Sequence, residues 1–114
     1  MGYFLLISAQ GAKWVAGRTM REQAEWAEHC VWVNTAMYAG KVILGGPIGD
    51  GQIHRALLVV HFESEAEVRH WILEDPWIKS GVIRTESLEP WKLIVSNDKL
   101  DPVLAEIAQQ RAPS

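Results

Sequence analysis

The hydrophobic positions fall into short runs separated by polar and glycine-rich stretches, and two of the runs are unbroken rather than alternating. Tyr3-Phe4-Leu5-Leu6-Ile7 ends at Ser8-Ala9-Gln10-Gly11, and Ala56-Leu57-Leu58-Val59-Val60 continues to Phe62. Continuous apolar runs of this length, rich in β-formers, predict strands with apolar side chains on both faces. Lys41-Val42-Ile43-Leu44 predicts another strand, ended by Gly45-Gly46-Pro47, and Ile48-Gly49-Asp50-Gly51-Gln52 supplies turn chemistry. Val82 to Val95 predicts the last strand. Pro90 inside it has no N–H for a ladder, which marks an edge strand or a bulge.

Between the strands the spacing becomes helical. Thr19 followed three residues later by Glu22 forms a capping-box pattern and predicts a helix from Met20 to Tyr38, with Trp26, Cys30, Val33 and Met37 as its buried stripe. Ser64 with Glu67 opens a second helix through Val68, Trp71 and Ile72 to Glu74. Asp75-Pro76 with Gly81 five residues on predicts one short helical turn, in which Asp caps, Pro takes the first position and Gly terminates. Asp101-Pro102 repeats the device and predicts a terminal helix to Gln110.

The resulting order is β-α-β-β-α-β with a C-terminal helix, a ferredoxin-like α+β domain over residues 1–95 with residues 96–114 as its helical extension. Two helices cover one face of such a sheet. Strands apolar on both faces therefore call for a second cover, and another copy of the chain is the simplest one, so a homodimer through the sheet is expected. Leu6 and Leu58 are the first choice for its partner-facing pair, with Leu5 and Leu57 as the opposite-face alternative.

Composition narrows the class. The chain of 114 residues is one domain in length, and 11 Lys plus Arg against 14 Asp plus Glu leave a net charge of −3, without the basic excess of a nucleic-acid module. No apolar run approaches the ~18 residues of a membrane span. The single cysteine, Cys30, has no partner for an internal disulfide, and no charged-then-apolar leader opens the chain, so a soluble cytoplasmic protein is expected.

Phosphate loops, dinucleotide fingerprints, His-Glu-x-x-His and paired Cys-x-x-Cys are all missing, and the four histidines have no recurring metal-ligand spacing. No metal or cofactor is expected. Cys30 on the buried stripe reads as an inert thiol. His29 flanks that stripe, where an imidazole is partly desolvated yet reachable; it reads either as an acid–base residue or as a boundary histidine with a local hydrogen bond. His54, His61 and His70 are weaker candidates. Helix capping alone explains Asp75, although Trp71 and Trp77 put its carboxylate beside an aromatic wall. Trp26 and Trp71 are assigned to the core. Trp14, Trp32, Trp77 and Trp91 lie near loops or element ends, where large aromatics line pockets or subunit interfaces, and they favour an apolar or aromatic small-molecule ligand.

Several of these features occur together in the order Tyr3–Ile7, His29, Gly40-Lys41, Gly45-Gly46-Pro47-Ile48, Ala56–Phe62, Ser64-Glu65-Ala66, Asp75-Pro76-Trp77, Gly81-Val82 and Glu89-Pro90-Trp91-Lys92. In this the chain resembles the YciI-like family of small dimeric α+β barrel proteins over residues 1–95. The resemblance implies a ferredoxin-like protomer dimerising face to face, with a pocket between sheet and helices. It also implies a His–Asp pair as active site, falling on His29 and Asp75. One branch of the family eliminates chloride from a chlorinated hydroxyhydroquinone without a cofactor, and relatives of the same barrel include muconolactone isomerases and cofactor-free monooxygenases. The tryptophans Trp26, Trp32, Trp71 and Trp77 depart from the usual pattern.

The expectation is therefore a cofactor-independent enzyme that moves protons on a small cyclic or aromatic compound. His29 is the general acid/base and Asp75 fixes its tautomer. Trp77 and Trp91 shape the wall, and Arg55 or Arg69 is a candidate to receive an anionic group. A non-catalytic small-molecule-binding protein and a cofactor-free monooxygenase are the alternatives.

Overall fold

A computed structural model describes residues 1–95. The strands are β1 (Gly2–Gln10), β2 (Val42–Pro47), β3 (Arg55–Phe62) and β4 (Ile83–Trp91), and the helices are α1 (Trp26–Tyr38), α2 (Glu65–Ile72) and α3 (Pro76–Ser80). The four strands form one antiparallel sheet in the order β2-β3-β1-β4, which is the ferredoxin-like arrangement expected. The expected terminal helix, and with it Asp101, lies outside the described residues. No helix among the described residues is long and apolar enough to cross a membrane.

Register decides which face each apolar residue takes. Phe4 pairs with Val60 and Leu6 with Leu58, while on the other side Leu6 pairs with Leu88. These side chains join Val42 and Phe62 under Ala36 of α1 and Val68, Trp71 and Ile72 of α2 to make the main core. Burying an aliphatic or aromatic side chain of this kind contributes ~1.5–3 kcal/mol. The alternate residues Tyr3, Leu5 and Ile7, opposite His61, Val59 and Leu57, point to the other face. Leu6 and Leu58 are thus helix-facing. The first choice for the partner-facing pair is corrected to Leu5 and Leu57, because period-2 alternation from the helix-covered Phe4 leaves only the odd positions of β1 for the far face.

Three boundaries differ from the sequence expectation. The capping box at Thr19 opens only a 3₁₀ turn, Met20–Glu22, and α1 begins at Trp26. The side chain of Gln23, 4% exposed, folds back instead: its carbonyl accepts the Val15 N–H at 2.8 Å and its amide donates to the carbonyls of Val15, Arg18 and Thr19 at 3.1–3.3 Å. Satisfying buried loop backbone in this way holds Gln23 extended and turns Glu25 left-handed at φ 63°. A second difference lies in the inward face of α1: Trp26, His29, Cys30 and Val33 are half-buried and Ala36 is buried, while Met37 is 44% exposed. Trp32 ties this side of α1 to α2. It stacks on Trp71 of α2 at 4.0 Å and donates its indole N–H to the Trp71 carbonyl, drawing that side of α1 toward α2.

The third difference is β2, which continues through Gly45 and Gly46 to Pro47 rather than stopping before them. Gly45 crosses β3 so closely that a Cβ would stand 2.6 Å from the Leu57 carbonyl oxygen and would run into the Leu58 side chain. Glycine here permits close backbone approach rather than a turn. Pro47 and Pro90 both sit on edge strands, β2 and β4, where a missing N–H costs no ladder bond. The β1–β4 register shifts instead between Ile7 and Ser8, away from Pro90. Replacing Gly45 by Ala is expected to cost ~1–3 kcal/mol in urea unfolding, the usual range for overpacking. A change within about 0.5 kcal/mol, the range of an ordinary surface substitution, would show that β2 can move aside freely.

Candidate active site

Each side chain of the site is placed by the local chemistry of its element. Asp75 closes the turn after α2 and caps α3: its Oδ1 accepts the Trp77 N–H at 2.9 Å, Pro76 takes the first helical position, and Gly81 ends the helix at φ 82°. Asp75 is 1% exposed. The same oxygen lies 2.8 Å from Nδ1 of His29, which the inward face of α1 directs toward it. A carboxylate can only accept, so Nδ1 carries the proton and Nε2 is left for another partner. The His29 side chain is 15% exposed, partly desolvated and still reachable.

Trp77 completes this arrangement. Its ring stacks on the His29 imidazole at 4.0 Å and 12°, and its indole N–H donates to the Ala24 carbonyl at 2.6 Å. Trp26 tilts against both rings, at 6.1 Å from His29 and 5.5 Å from Trp77. The histidine is thus held through one nitrogen and one face, with its orientation set before any ligand arrives.

His29 and Asp75 border a cavity of about 260 Å³ between the sheet and the helices. Leu6, Ser8, Ala56, Leu58 and Thr85 of the sheet line it, with Trp26, Cys30, Trp32 and Val33 of α1, Trp77 of α3, and Gly45-Gly46-Pro47 of β2. Its walls are mainly apolar, with a few polar groups at fixed places, which is the usual build of a small-molecule site.

Of the five residues assigned to the site from the sequence, the fold brings three to this cavity: His29, Asp75 and Trp77. Trp91 and Arg55 do not line it. Trp91 is 38% exposed at the end of β4, paired with Tyr3. Arg55 holds Glu86 through two bonds of 3.1 and 2.6 Å; that pairing lifts the guanidinium further above its ordinary pKa and lowers the Glu86 carboxyl. Cys30, expected on a buried stripe, is partly buried and lines the cavity, and so do Trp26, assigned to the core, and Trp32. His54, weakly rated from the sequence, is also in the lining. Alternation backward from Leu58 through Ala56 would have found it, once the face of Leu58 was known.

The fold and site define a class: a ferredoxin-like α+β domain with a histidine–carboxylate pair at an apolar cavity. The model of the YCII-related domain matches residues 1–92, and the chain belongs to that family. No curated protein sequence matches it significantly. Among solved structures it is similar to 5-chloro-2-hydroxyhydroquinone dehydrochlorinase from Burkholderia phenoliruptrix in complex with 2,5-dihydroxybenzoquinone, with a TM-score of 0.60 and 25% identity over 83% of this chain and 99% of that one.

The shared Asp75 oxygen predicts a difference between two caps. Ser64 caps α2 by accepting the Glu67 N–H at 3.2 Å and does nothing further, so Ser64→Ala is expected to cost ~1 kcal/mol. Asp75→Ala removes a cap and a charge-assisted bond to His29 together, and about 2–4 kcal/mol is expected. Urea unfolding of both variants checks this; equal losses would reduce Asp75 to a cap alone.

Proposed function

We propose that this protein is a cofactor-independent enzyme that carries out acid–base chemistry, elimination or isomerisation, on a small cyclic or aromatic compound. The observation that carries the reading is the 2.8 Å contact of His29 Nδ1 with Asp75 Oδ1 at the wall of an apolar cavity. Asp75 holds the proton on Nδ1 and stabilises the imidazolium. Nε2 can then give a proton to the bound compound or take one from it. A ring fits the cavity by size and by its aromatic lining, and Trp26 and Trp77 offer it flat faces. The likeness to a dehydrochlorinase in complex with a dihydroxyquinone supports an oxygenated six-membered ring as the substrate class.

The test is release of chloride from 5-chloro-2-hydroxyhydroquinone in buffer without added metal or cofactor. His29→Ala and Asp75→Asn are each expected to slow it by ~10²-fold or more, the range of positioned acid–base catalysis. The double variant should be little slower than the worse single one, since the pair acts as a unit. Single variants that turn over at the wild-type rate would end the dyad. Binding of 2,5-dihydroxybenzoquinone without any turnover would favour a non-catalytic binding protein.

The same reading includes a homodimer through the far face of the sheet, supported by Leu5, Ile7 and Leu57 on that face and by Leu44, which is exposed. Sedimentation at low micromolar concentration is expected to give twice the 12.8 kDa chain mass. Leu5→Glu or Leu57→Glu should give single chains, because a carboxylate buried without a partner costs several kcal/mol. Leu6→Glu should instead unfold the protomer. A wild-type monomer would overturn the assembly.

A further inference from the structure

The cavity holds a second imidazole that the His29–Asp75 pair does not use. His54 precedes β3, and its backbone is pinned to β1 in both directions: its N–H donates to Gln10 Oε1 at 3.1 Å and its carbonyl accepts the Gln10 N–H at 3.0 Å. Its ring lies flat on Trp14 at 4.3 Å and 11°, and stands edge-on to Trp77 at 6.5 Å and 86°. Trp77 is the ring that stacks on His29, so one indole separates and orders both imidazoles. No group among the described residues hydrogen-bonds the His54 ring nitrogens. Backbone clamp and stack hold this ring, and its nitrogens remain for a ligand.

The two histidines have opposite electrostatic settings. His29 has a carboxylate behind it. Burial in the cavity wall, and then the charge of His29, push the His54 imidazole below its ordinary pKa. The titratable groups lining the cavity are His29, Cys30, His54 and Asp75, and Asp75 is engaged by His29 and Trp77. Gln10 and Ser8 on β1 and Thr85 on β4 bring no charge. Two titratable groups in one cavity with opposed environments divide into an acid and a base.

We propose that His54 is a second proton-transferring residue of this cavity, taking the proton of a ring-borne hydroxyl group while His29 delivers a proton to a carbon of the same ring. The inference rests on the acid–base reading of the site. In this step the O–H bond breaks and its proton bonds to the bare nitrogen of His54. The electron pair left on oxygen forms a carbonyl, and a ring double bond takes up the proton from Nε2 of the His29 imidazolium. The substrate becomes its keto tautomer with no atom gained or lost and no change of oxidation state. His54 ends protonated and His29 neutral, and proton exchange with solvent resets both.

Hydrogen–deuterium exchange at the ring carbons of 1,2,4-trihydroxybenzene tests this. It is followed by proton NMR in deuterated buffer without oxygen, and binding is read in parallel from tryptophan fluorescence. The wild-type protein is expected to accelerate exchange, with a rate that falls at acid pH as His54 becomes protonated. His54→Gln, and His54→Phe, which keeps a flat ring on Trp14, should each exchange ~10²-fold more slowly, bind the probe within a few-fold, and lose the acid-side fall. Either variant exchanging at the wild-type rate, or keeping that fall, would overturn the role of His54 and leave the His29–Asp75 pair standing. If the wild-type protein exchanges no faster than buffer, the acid–base reading fails and this proposal with it.

Discussion

One carboxylate oxygen ties the structure together. Asp75 Oδ1 accepts both the Trp77 N–H that starts α3 and the Nδ1–H of His29 on α1, which lies 46 positions away in the chain. The cap would exist in any Asp-Pro helix start. Its second bond exists because His29 lies on the inward side of α1, the helix that Trp32 ties to Trp71 of α2. With the carboxylate buried, the alternative to this pairing would be a charge in a low-dielectric setting with fewer partners, which is costly.

The cavity is the space left by the same constraints. Trp77 is fixed by its indole N–H on the Ala24 carbonyl, and that carbonyl is available because the chain breaks at residues 23–25 instead of continuing a helix from Met20. A continuous helix would have used it internally. On the opposite wall Gly45 lets β2 approach β3, and Gly45 and Gly46 border the cavity without side chains. The irregular features of the fold, an early helix break and glycines inside a strand, therefore gather around the site. Local rules of sequence are expected to fail at such places, because function constrains them beyond propensity.

Much of the fold was legible in the residues themselves. Unbroken apolar runs marked β1 and β3, the Ser64 and Asp75 caps marked α2 and α3, and Pro90 marked β4 as an edge or bulged strand, of which it is an edge. These signals are local: a cap, a proline or a run of β-formers acts within a few residues of itself. The site was legible only in part. His29 and Asp75 carry sequence signals, the pairing of the two coming from a family resemblance, while Arg55 and Trp91 are not in the cavity lining and His54 is. Nothing near Arg55 in the chain announces Glu86, which reaches it across the sheet through a register shift.

The sequence by itself determined the order and type of the elements, the capping residues, the likeness to the YciI-like family and the two-sided apolar character of the central strands. The tertiary structure decided which side of each strand and helix faces the core. Parity in β1 and β3 depends on pairing with the strands beside them, so Leu6 and Leu58 were assigned to a face only when the register was known. α1 meets α2 through a ring stack between Trp32 and Trp71, and at the break before α1 the Gln23 side chain satisfies loop carbonyls. Each of these is a competition between distant groups for one position. Such a competition has no local signature, because the winning contact is set by geometry that only the folded chain supplies.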